Sequence, residues 1–162
     1  MISMRLLLHV FIIRPLLHLM FGVNVVGREN LNGVDKCILF ANHNSHLDIL
    51  FLYLILPSGK IDKTHPIAAL DYFRKPVWLF TLVNFLFQPI WVDRTIGSCF
   101  PIKEIQKNLA EGHSVIIFPE GTRTKEILPF KKGSFKLPIM AKVPILPITM
   151  IGSENIVGNV KK

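Results

Sequence analysis

Apolar residues occur along the chain in short runs that alternate with longer segments suited to helices. The short runs predict strands at residues 23–27, 36–41, 66–70, 89–92, 114–118 and 145–150. The longer segments predict helices at residues 45–56, 101–111 and 133–142. Because strands and helices alternate, we expect a single α/β domain with a mostly parallel β-sheet flanked by helices.

The first 21 residues are apolar, with an interruption at Pro15. Since proline breaks or kinks a helix, we expect two short apolar helical segments there. This pattern divides the chain into a membrane-associating segment at residues 1–22 and a domain at residues 23–162.

Four basic or titratable side chains interrupt this N-terminal segment. On one straight helix Arg5 and His9 would share a face, whereas Arg14 and His18 would lie nearly opposite. Two interpretations remain open, a segment in the membrane interface and a helix buried in the core. We favour the interface because Arg and His side chains can extend toward lipid headgroups.

Composition and charge favour a lipid partner. Half of the 162 residues are hydrophobic and the net charge is +8, with eight basic and two acidic side chains from Arg123 onward. This balance suggests an anionic partner; no nucleic-acid-binding motif is present, and the apolar excess favours lipid over nucleic acid. The two isolated cysteines give no zinc spacing or disulfide framework, which fits a reducing compartment.

Polar residues concentrate between two apolar runs, from Asn42 to Asp48. Ser45 and Asp48 match the Ser-x-x-Asp form of a helix capping box, which explains those two residues structurally. His43 and Asp48 would diverge by about 140° on one helix. They meet if His43 lies in a loop after a strand and Asp48 in the first helical turn.

A carboxylate beside an imidazole fixes its tautomer, so His43 could act as a general base toward a substrate hydroxyl. Metal binding by His43 and His46 is a weaker alternative, and we expect neither a metal nor a cofactor. A second polar cluster spans Phe118 to Arg123, where Gly121 permits a tight turn and Arg123 suits a phosphate. A solvated turn explains that cluster equally well.

Together and in this order, these segments resemble the glycerolipid acyltransferase family that includes 1-acylglycerol-3-phosphate acyltransferases. Four blocks carry the resemblance, which covers roughly residues 20–152: Asn42-His43-Asn44-Ser45-His46-Leu47-Asp48, Trp91-Val92-Asp93-Arg94, Phe118-Pro119-Glu120-Gly121-Thr122-Arg123 and Val143-Pro144-Ile145-Leu146-Pro147-Ile148. The first and third blocks are specific, and the other two gain their meaning from them.

The resemblance implies transfer of a fatty acyl group from acyl-CoA or acyl carrier protein to the free hydroxyl of a lysophospholipid. The expected acceptor is 1-acylglycerol-3-phosphate, and the product is phosphatidic acid. His43 is then the general base and Asp48 orients it. The residues implied for the acceptor phosphate are Glu120, Gly121, Thr122, Arg123 and Arg94, and those implied as supports are Asn42, Ser45, Pro144 and Pro147.

Members of that family usually continue with more strands and helices after the fourth block, whereas this sequence ends at Lys162. A truncated, non-catalytic lipid-binding member and an acyltransferase for another lyso-lipid are therefore the alternative functions. In each case we expect association with a membrane surface, at the cytoplasmic face of the inner (plasma) membrane.

Overall fold

A five-stranded, fully parallel β-sheet forms the centre of the molecule, in the order β3-β2-β4-β1-β5. The computed structural model describes residues 2–93, 101–121 and 132–156. The strands are β1 (Ile38–Ala41), β2 (Thr64–Ala69), β3 (Ile90–Val92), β4 (Ser114–Ile117) and β5 (Ile145–Ile148). The prediction of an α/β domain with a parallel sheet is confirmed.

The predicted strand at residues 23–27 is wrong. This segment is irregular because Gly22 and Gly27 both adopt positive φ angles, +55° and +79°, and turn the chain at either end. Val23 and Val25 pack against a small apolar cluster instead of a neighbouring strand. Apolar residues do alternate in this segment, but they pack against helices and not within a sheet.

Helices connect the strands and cover the sheet. They are α1 (Met4–Leu8), a π-helical turn (His9–Ile13), α2 (Arg14–Phe21), α3 (Asp48–Ile55), α4 (Leu70–Phe73), α5 (Val77–Phe87), α6 (Ile102–Ala110) and α7 (Lys132–Ala141), with 3₁₀ turns at Arg28–Leu31, Ser58–Lys63 and Ser153–Asn155. The three predicted helices are present, although α3 begins at Asp48, three residues later than expected. The residues before Asp48 form the site described below.

The sheet separates two apolar cores. Leu39 and Ala41 of β1 face a core that contains Tyr53 of α3 and Phe87 of α5. The alternate residues Ile38 and Phe40 face a second core, built with Ile105 and Leu109 of α6 and Leu137 of α7. Because successive strand residues point to opposite faces, β1 is buried on both sides, as its continuous apolar run predicted.

The N-terminal helical stretch, Met4–Phe21, is not broken at Pro15, which lies in the first turn of α2. The π-helical turn holds an extra residue, so it changes which side chains share a face. Arg5 and His9, four residues apart, share the face that is buried against the protein, and the extra residue turns Arg14 toward the protein as well. The expectation that these three side chains extend to lipid headgroups is wrong, whereas His18 is exposed.

Both arginines instead cap the C-terminal ends of other helices, whose last carbonyl groups lack partners within their own helix. Arg5 donates to the carbonyl oxygens of Leu86 and Phe87, at 2.8 and 3.2 Å, at the end of α5. Arg14 donates to the carbonyl oxygens of Tyr53, at 3.1 Å, and Leu56, at the end of α3. The N-terminal helix is therefore fixed to the domain by polar contacts.

Candidate active site

The loop between β1 and α3 brings an imidazole and a carboxylate together. His43 Nδ1 lies 2.9 Å from Asp48 Oδ2. The same oxygen accepts the backbone N–H groups of Asn44 and Ser45, at 2.7 and 2.8 Å. As predicted, His43 lies in the loop and Asp48 in the first turn of the helix.

Asp48 is completely buried, yet it is held in its charged form. Burial raises the pKa of its carboxyl group, but hydrogen bonds from His43, Ser45 and Asn44 outweigh this effect and bring the pKa below the ordinary value. The Ser153 hydroxyl contributes in the same direction, although it makes no hydrogen bond of normal geometry with a described residue. Because the carboxylate only accepts, the neutral form of the His43 imidazole carries its proton on Nδ1 and has its lone pair on Nε2.

Asn42 and Ser45 support this loop. The Asn42 amide pairs with the backbone of Met150, donating to its carbonyl oxygen at 2.8 Å and accepting its N–H at 2.7 Å. The buried Ser45 hydroxyl accepts the N–H of Leu47 at 3.3 Å. The predicted capping box is thus only half formed, because the Ser45 side chain does not accept the Asp48 N–H.

The end of β4 supplies two further contacts to His43, because β4 lies next to β1 in the sheet. The ring of Phe118 stacks on the imidazole, with 4.0 Å between centroids and 19° between planes. The buried Glu120 carboxyl group lies beside the backbone N–H of His43. Burial raises the pKa of Glu120, the neighbouring His43 N–H opposes the rise, and the negative charge of Asp48 adds to it.

Phe118 was not among the predicted site residues, although it stands directly after a strand, as Asn42 does. Its position at the end of a strand could have identified it as a candidate site residue. The stacked Phe118 ring restrains the tilt of the imidazole plane. The contact between Nδ1 and Asp48 restrains rotation of the ring. His43 has only 20% of its side chain exposed, so the remaining access to it is limited.

Gly121 forms the predicted tight turn with φ of +72°. Its N–H donates to the carbonyl oxygen of Phe118 at 3.0 Å, so this group is occupied within the turn and does not face an anion. Thr122, Arg123 and Arg94 lie outside the described residues. The expectation that a guanidinium joins this turn therefore stays a prediction.

The remaining predicted residues lie around this edge of the sheet. Pro144 accepts the N–H of Ile38 at 3.0 Å just before β5, and Pro147 pairs with Phe40 in the β1–β5 register. His46 is exposed, and its Nε2 lies 3.4 Å from the Tyr72 hydroxyl, so it has a different partner from His43. Within the described ranges, no group of three or more His, Cys, Asp and Glu side chains is arranged to hold a metal ion.

The site is thus a carboxylate-held histidine at the carboxyl end of a strand in a parallel α/β sheet, the edge at which ligands bind in such folds. The family model described as "Acyltransferase" matches residues 22–151. The chain therefore belongs to the acyltransferase family, and the resemblance found in the four sequence blocks is confirmed.

Relatives in other organisms agree with this assignment. The chain is 33% identical over 141 residues to a chloroplastic 1-acyl-sn-glycerol-3-phosphate acyltransferase of Brassica napus, covering 84% of this chain and 39% of that protein. It is 35% identical over 135 residues to 1-acyl-sn-glycerol-3-phosphate acyltransferase alpha of Mus musculus, covering 79% of this chain and 45% of that protein. The chain thus spans less than half the length of these two relatives.

A solved structure has a similar fold. It is the 1-acyl-sn-glycerophosphate acyltransferase PlsC of Thermotoga maritima, with a TM-score of 0.64 and 25% sequence identity. The similarity covers 84% of this chain and 52% of that chain.

Proposed function

We propose that this protein transfers a fatty acyl group to the free hydroxyl of 1-acylglycerol-3-phosphate and so forms phosphatidic acid. The observation that carries the proposal is the 2.9 Å contact between His43 Nδ1 and Asp48 Oδ2, beside the third motif of the family. The names of the relatives supply the acceptor, because they are 1-acylglycerol-3-phosphate acyltransferases.

In the proposed reaction, Nε2 of His43 accepts the proton of the acceptor hydroxyl. The oxygen of that hydroxyl attacks the carbonyl carbon of an acyl thioester. The C–S bond then breaks, and the departing thiolate takes the proton back from the imidazolium. Asp48 stabilises the imidazolium that forms between these steps, because it remains a carboxylate throughout. The thioester comes from acyl-CoA or acyl carrier protein, and the protein needs neither a metal nor a cofactor for this chemistry.

For the acceptor phosphate we propose a site built by Arg123 and Arg94 around the turn at Gly121, with Thr122 beside it. A guanidinium matches a phosphate in charge and geometry. Glu120 supports this site indirectly in our proposal, because its buried carboxyl group lies beside the His43 backbone. Asn42, Ser45, Pro144 and Pro147 hold the surrounding loops, as their contacts suggest.

We also propose that the protein works at a membrane surface, on the cytoplasmic face of the inner (plasma) membrane. Met4–Phe21 is long and apolar enough to cross a membrane, and it is the one such helix among the described residues. Most of its outward side chains are apolar, including Phe11, Ile12, Leu19 and Met20. In this proposal residues 1–22 associate with lipid and residues 23–162 form the acyltransferase domain.

The test is a transfer assay with membranes that contain the protein, a labelled acyl donor and a panel of lyso-acceptors. We expect labelled phosphatidic acid with 1-acylglycerol-3-phosphate, and loss of that product in His43→Ala. If only a different lyso-lipid is acylated, that lipid is the acceptor and 1-acylglycerol-3-phosphate is not. No transfer by the folded protein with any acceptor and either donor would favour a lipid-binding function without catalysis.

A further inference from the structure

Helix α5 carries an apolar stripe on its outward side. Val77, Trp78, Leu82 and Phe85 recur at helical spacing and are all exposed, with Trp78 at 66% and Val77 at 72%. The opposite side of the same helix packs into the core through Val83, Leu86 and Phe87. The helix is therefore apolar on both sides, whereas burial explains only one of them.

A cationic segment adjoins this stripe. Arg74 and Lys75 are exposed and lie one residue before α5, in a chain of net charge +8. Tryptophan is enriched where apolar lipid chains meet polar headgroups, and basic side chains are attracted to anionic headgroups. The combination of an exposed tryptophan, aliphatic side chains and two cations fits an anionic bilayer surface better than it fits water.

The position of α5 links this surface to the catalytic loop. It follows β2 through α4, so its N-terminal end lies at the carboxyl edge of the sheet, where His43 also lies. Tyr72 of α4 approaches His46 to 3.4 Å, beside the same loop. At its other end, α5 is capped by Arg5 of the N-terminal helix. Hydrogen bonds from Arg5 thus join two helices that both have apolar outward faces.

We propose that the outward face of α5, formed by Val77, Trp78, Leu82 and Phe85, inserts shallowly into an anionic phospholipid bilayer, with Arg74 and Lys75 at the headgroups. This face is a second membrane contact beside the active-site edge, in addition to the N-terminal helix. It deepens the proposed function, on which it rests, because it brings the His43 loop close to the layer that contains the acceptor.

The two tryptophans of the chain make the proposal testable by fluorescence, since Trp91→Phe leaves Trp78 as the only tryptophan. The probe is a vesicle of phosphatidylcholine and phosphatidylglycerol, with or without lipids brominated near the top of the acyl chain. We expect a blue shift of the Trp78 emission on binding and about twofold or stronger quenching by the brominated lipid. The matched control is Trp78→Phe, because Trp91 is half-buried and stacks on Phe80 at 4.9 Å, so it should be quenched little.

A charge variant gives an independent measurement. Arg74→Gln with Lys75→Gln should lower partitioning into the anionic vesicles about 30-fold, taking roughly fivefold for each basic residue near an anionic surface. Partitioning into pure phosphatidylcholine vesicles should stay the same. The control is Lys103→Gln with Lys107→Gln, whose exposed side chains lie on α6, across the sheet from α5. These two changes should alter binding to the anionic vesicles far less than the double substitution at Arg74 and Lys75.

Flotation of the vesicles decides what a negative result means. If the protein floats with them while Trp78 is neither shifted nor quenched, the α5 proposal is wrong and attachment belongs to the N-terminal helix alone. If the Trp78 emission is already blue-shifted without lipid and depends on protein concentration, a second copy covers the face and the proposal is also wrong. The transfer assay runs on the same samples, so loss of the lipid contact is distinguishable from absence of acyltransferase activity.

Discussion

At the scale of single residues, the chemistry depends on how the His43 ring is held. Asp48 holds Nδ1, Phe118 covers one face of the ring, and Glu120 lies beside the backbone of the same residue. These side chains come from the first turn of α3 and from the segment that follows β4. The imidazole therefore has one proton-accepting nitrogen and little freedom to turn away from a substrate.

His43→Ala should lower acyl transfer by about 10²–10⁴-fold, the usual contribution of a general base. His46→Ala is the matched control, since His46 is exposed and has a different partner, so it should keep most of the activity. The measurement is the transfer rate at saturating acceptor, together with thermal unfolding to show that both variants are folded. A larger loss in His46→Ala than in His43→Ala would overturn the assignment of the base.

Arg123→Ala should weaken use of the phosphorylated acceptor by about 10- to 150-fold, which corresponds to the roughly 1.5–3 kcal/mol of a charged hydrogen bond. Arg123→Lys keeps the charge but loses the planar fork, so it should recover only part of this loss. The acyl donor should bind as before, and vesicle affinity should barely change because the chain has nineteen basic residues. Weaker vesicle binding with unchanged transfer kinetics would place Arg123 on the membrane-facing surface instead.

The part of the site that the sequence revealed is the part that is local in the chain. His43 and Asp48 are five residues apart, so a strand, a loop and a first helical turn were sufficient to predict their contact. The ring of Phe118 and the carboxylate of Glu120 are more than seventy residues away from His43. Their contacts depend on β1 and β4 being neighbours in the sheet, which the pattern of apolar residues does not specify.

At the scale of elements, the strands of the sheet were predictable because each contains a short apolar run, and β1 and β4 are buried on both faces. The N-terminal helix was less predictable. Its π-helical turn brings Arg14 to the protein side, and the 3.6-residue period of an ordinary helix predicts the opposite. The carbonyl groups that bind Arg5 and Arg14 belong to helices distant in the sequence, so no local pattern predicts these contacts.

Arg5→Ala should lower the free energy of unfolding by roughly 1.5–3 kcal/mol, because hydrogen bonds from a buried charged group to the end of α5 are lost. Tyr53 also loses a donor to its hydroxyl at 2.7 Å. The measurement is thermal or denaturant unfolding in a mild detergent. Lys103→Ala, which removes an exposed cation from α6, is the control and should change stability little. Equal stability of the two variants would mean that Arg5 does not fix the N-terminal helix.

A pair of histidines joins the amino ends of β2 and β4. His65 Nδ1 donates to the Gln88 carbonyl at 2.9 Å, so its Nε2 accepts from His113 Nδ1 at 3.1 Å. Burial lowers the pKa of His65, the Gln88 carbonyl opposes this, the positive charges of Arg5 and His113 add to the lowering, and Glu111 opposes it.

Since the pKa of His65 is lower in the folded state, the unfolded chain takes up the proton first as the pH falls. Stability should therefore be unaffected above the unfolded value of about 6.5 and should decrease below it, by up to about 1.4 kcal/mol per pH unit. His65→Asn should flatten this dependence between pH 6.5 and 5, as measured by denaturant unfolding. His18→Asn, a change at an exposed histidine, should leave it in place. An identical acid profile in wild type and His65→Asn would contradict the prediction.

At the scale of the whole molecule, the apolar excess in the composition is not spread evenly. The N-terminal helix and α5 both turn apolar faces outward, and both pack on the same side of the sheet. Arg5 and Arg14 of the N-terminal helix point inward to the domain. In our proposal, membrane attachment and the orientation of the active-site edge are coupled, because the helix proposed to bind lipid also caps two helices of the domain.

This coupling determines how attachment should be tested. Removing residues 1–21 would also remove the caps made by Arg5 and Arg14, so loss of binding could not be separated from loss of the fold. Substitutions on the outward face avoid this problem. Phe11→Ser with Leu19→Ser changes two side chains that are 71% and 86% exposed and leaves the arginine contacts intact.

Apolar burial should hold the wild-type protein on membranes, so washing with 1 M salt, where the screening length is only about 3 Å, should release little of it. The double variant loses about 1.5–3 kcal/mol of burial for each side chain, so its remaining attachment is mainly electrostatic and the same wash should release most of it. The control is Ile139→Ser with Met140→Ser, which changes two exposed apolar residues on α7, across the sheet from the N-terminal helix, and should not alter release. The measurement is the fraction of protein left in the membrane pellet, with transfer activity recorded in the pellet and the wash. Complete release of the wild type by salt alone would show that charge, and not the N-terminal helix, holds the protein at the membrane.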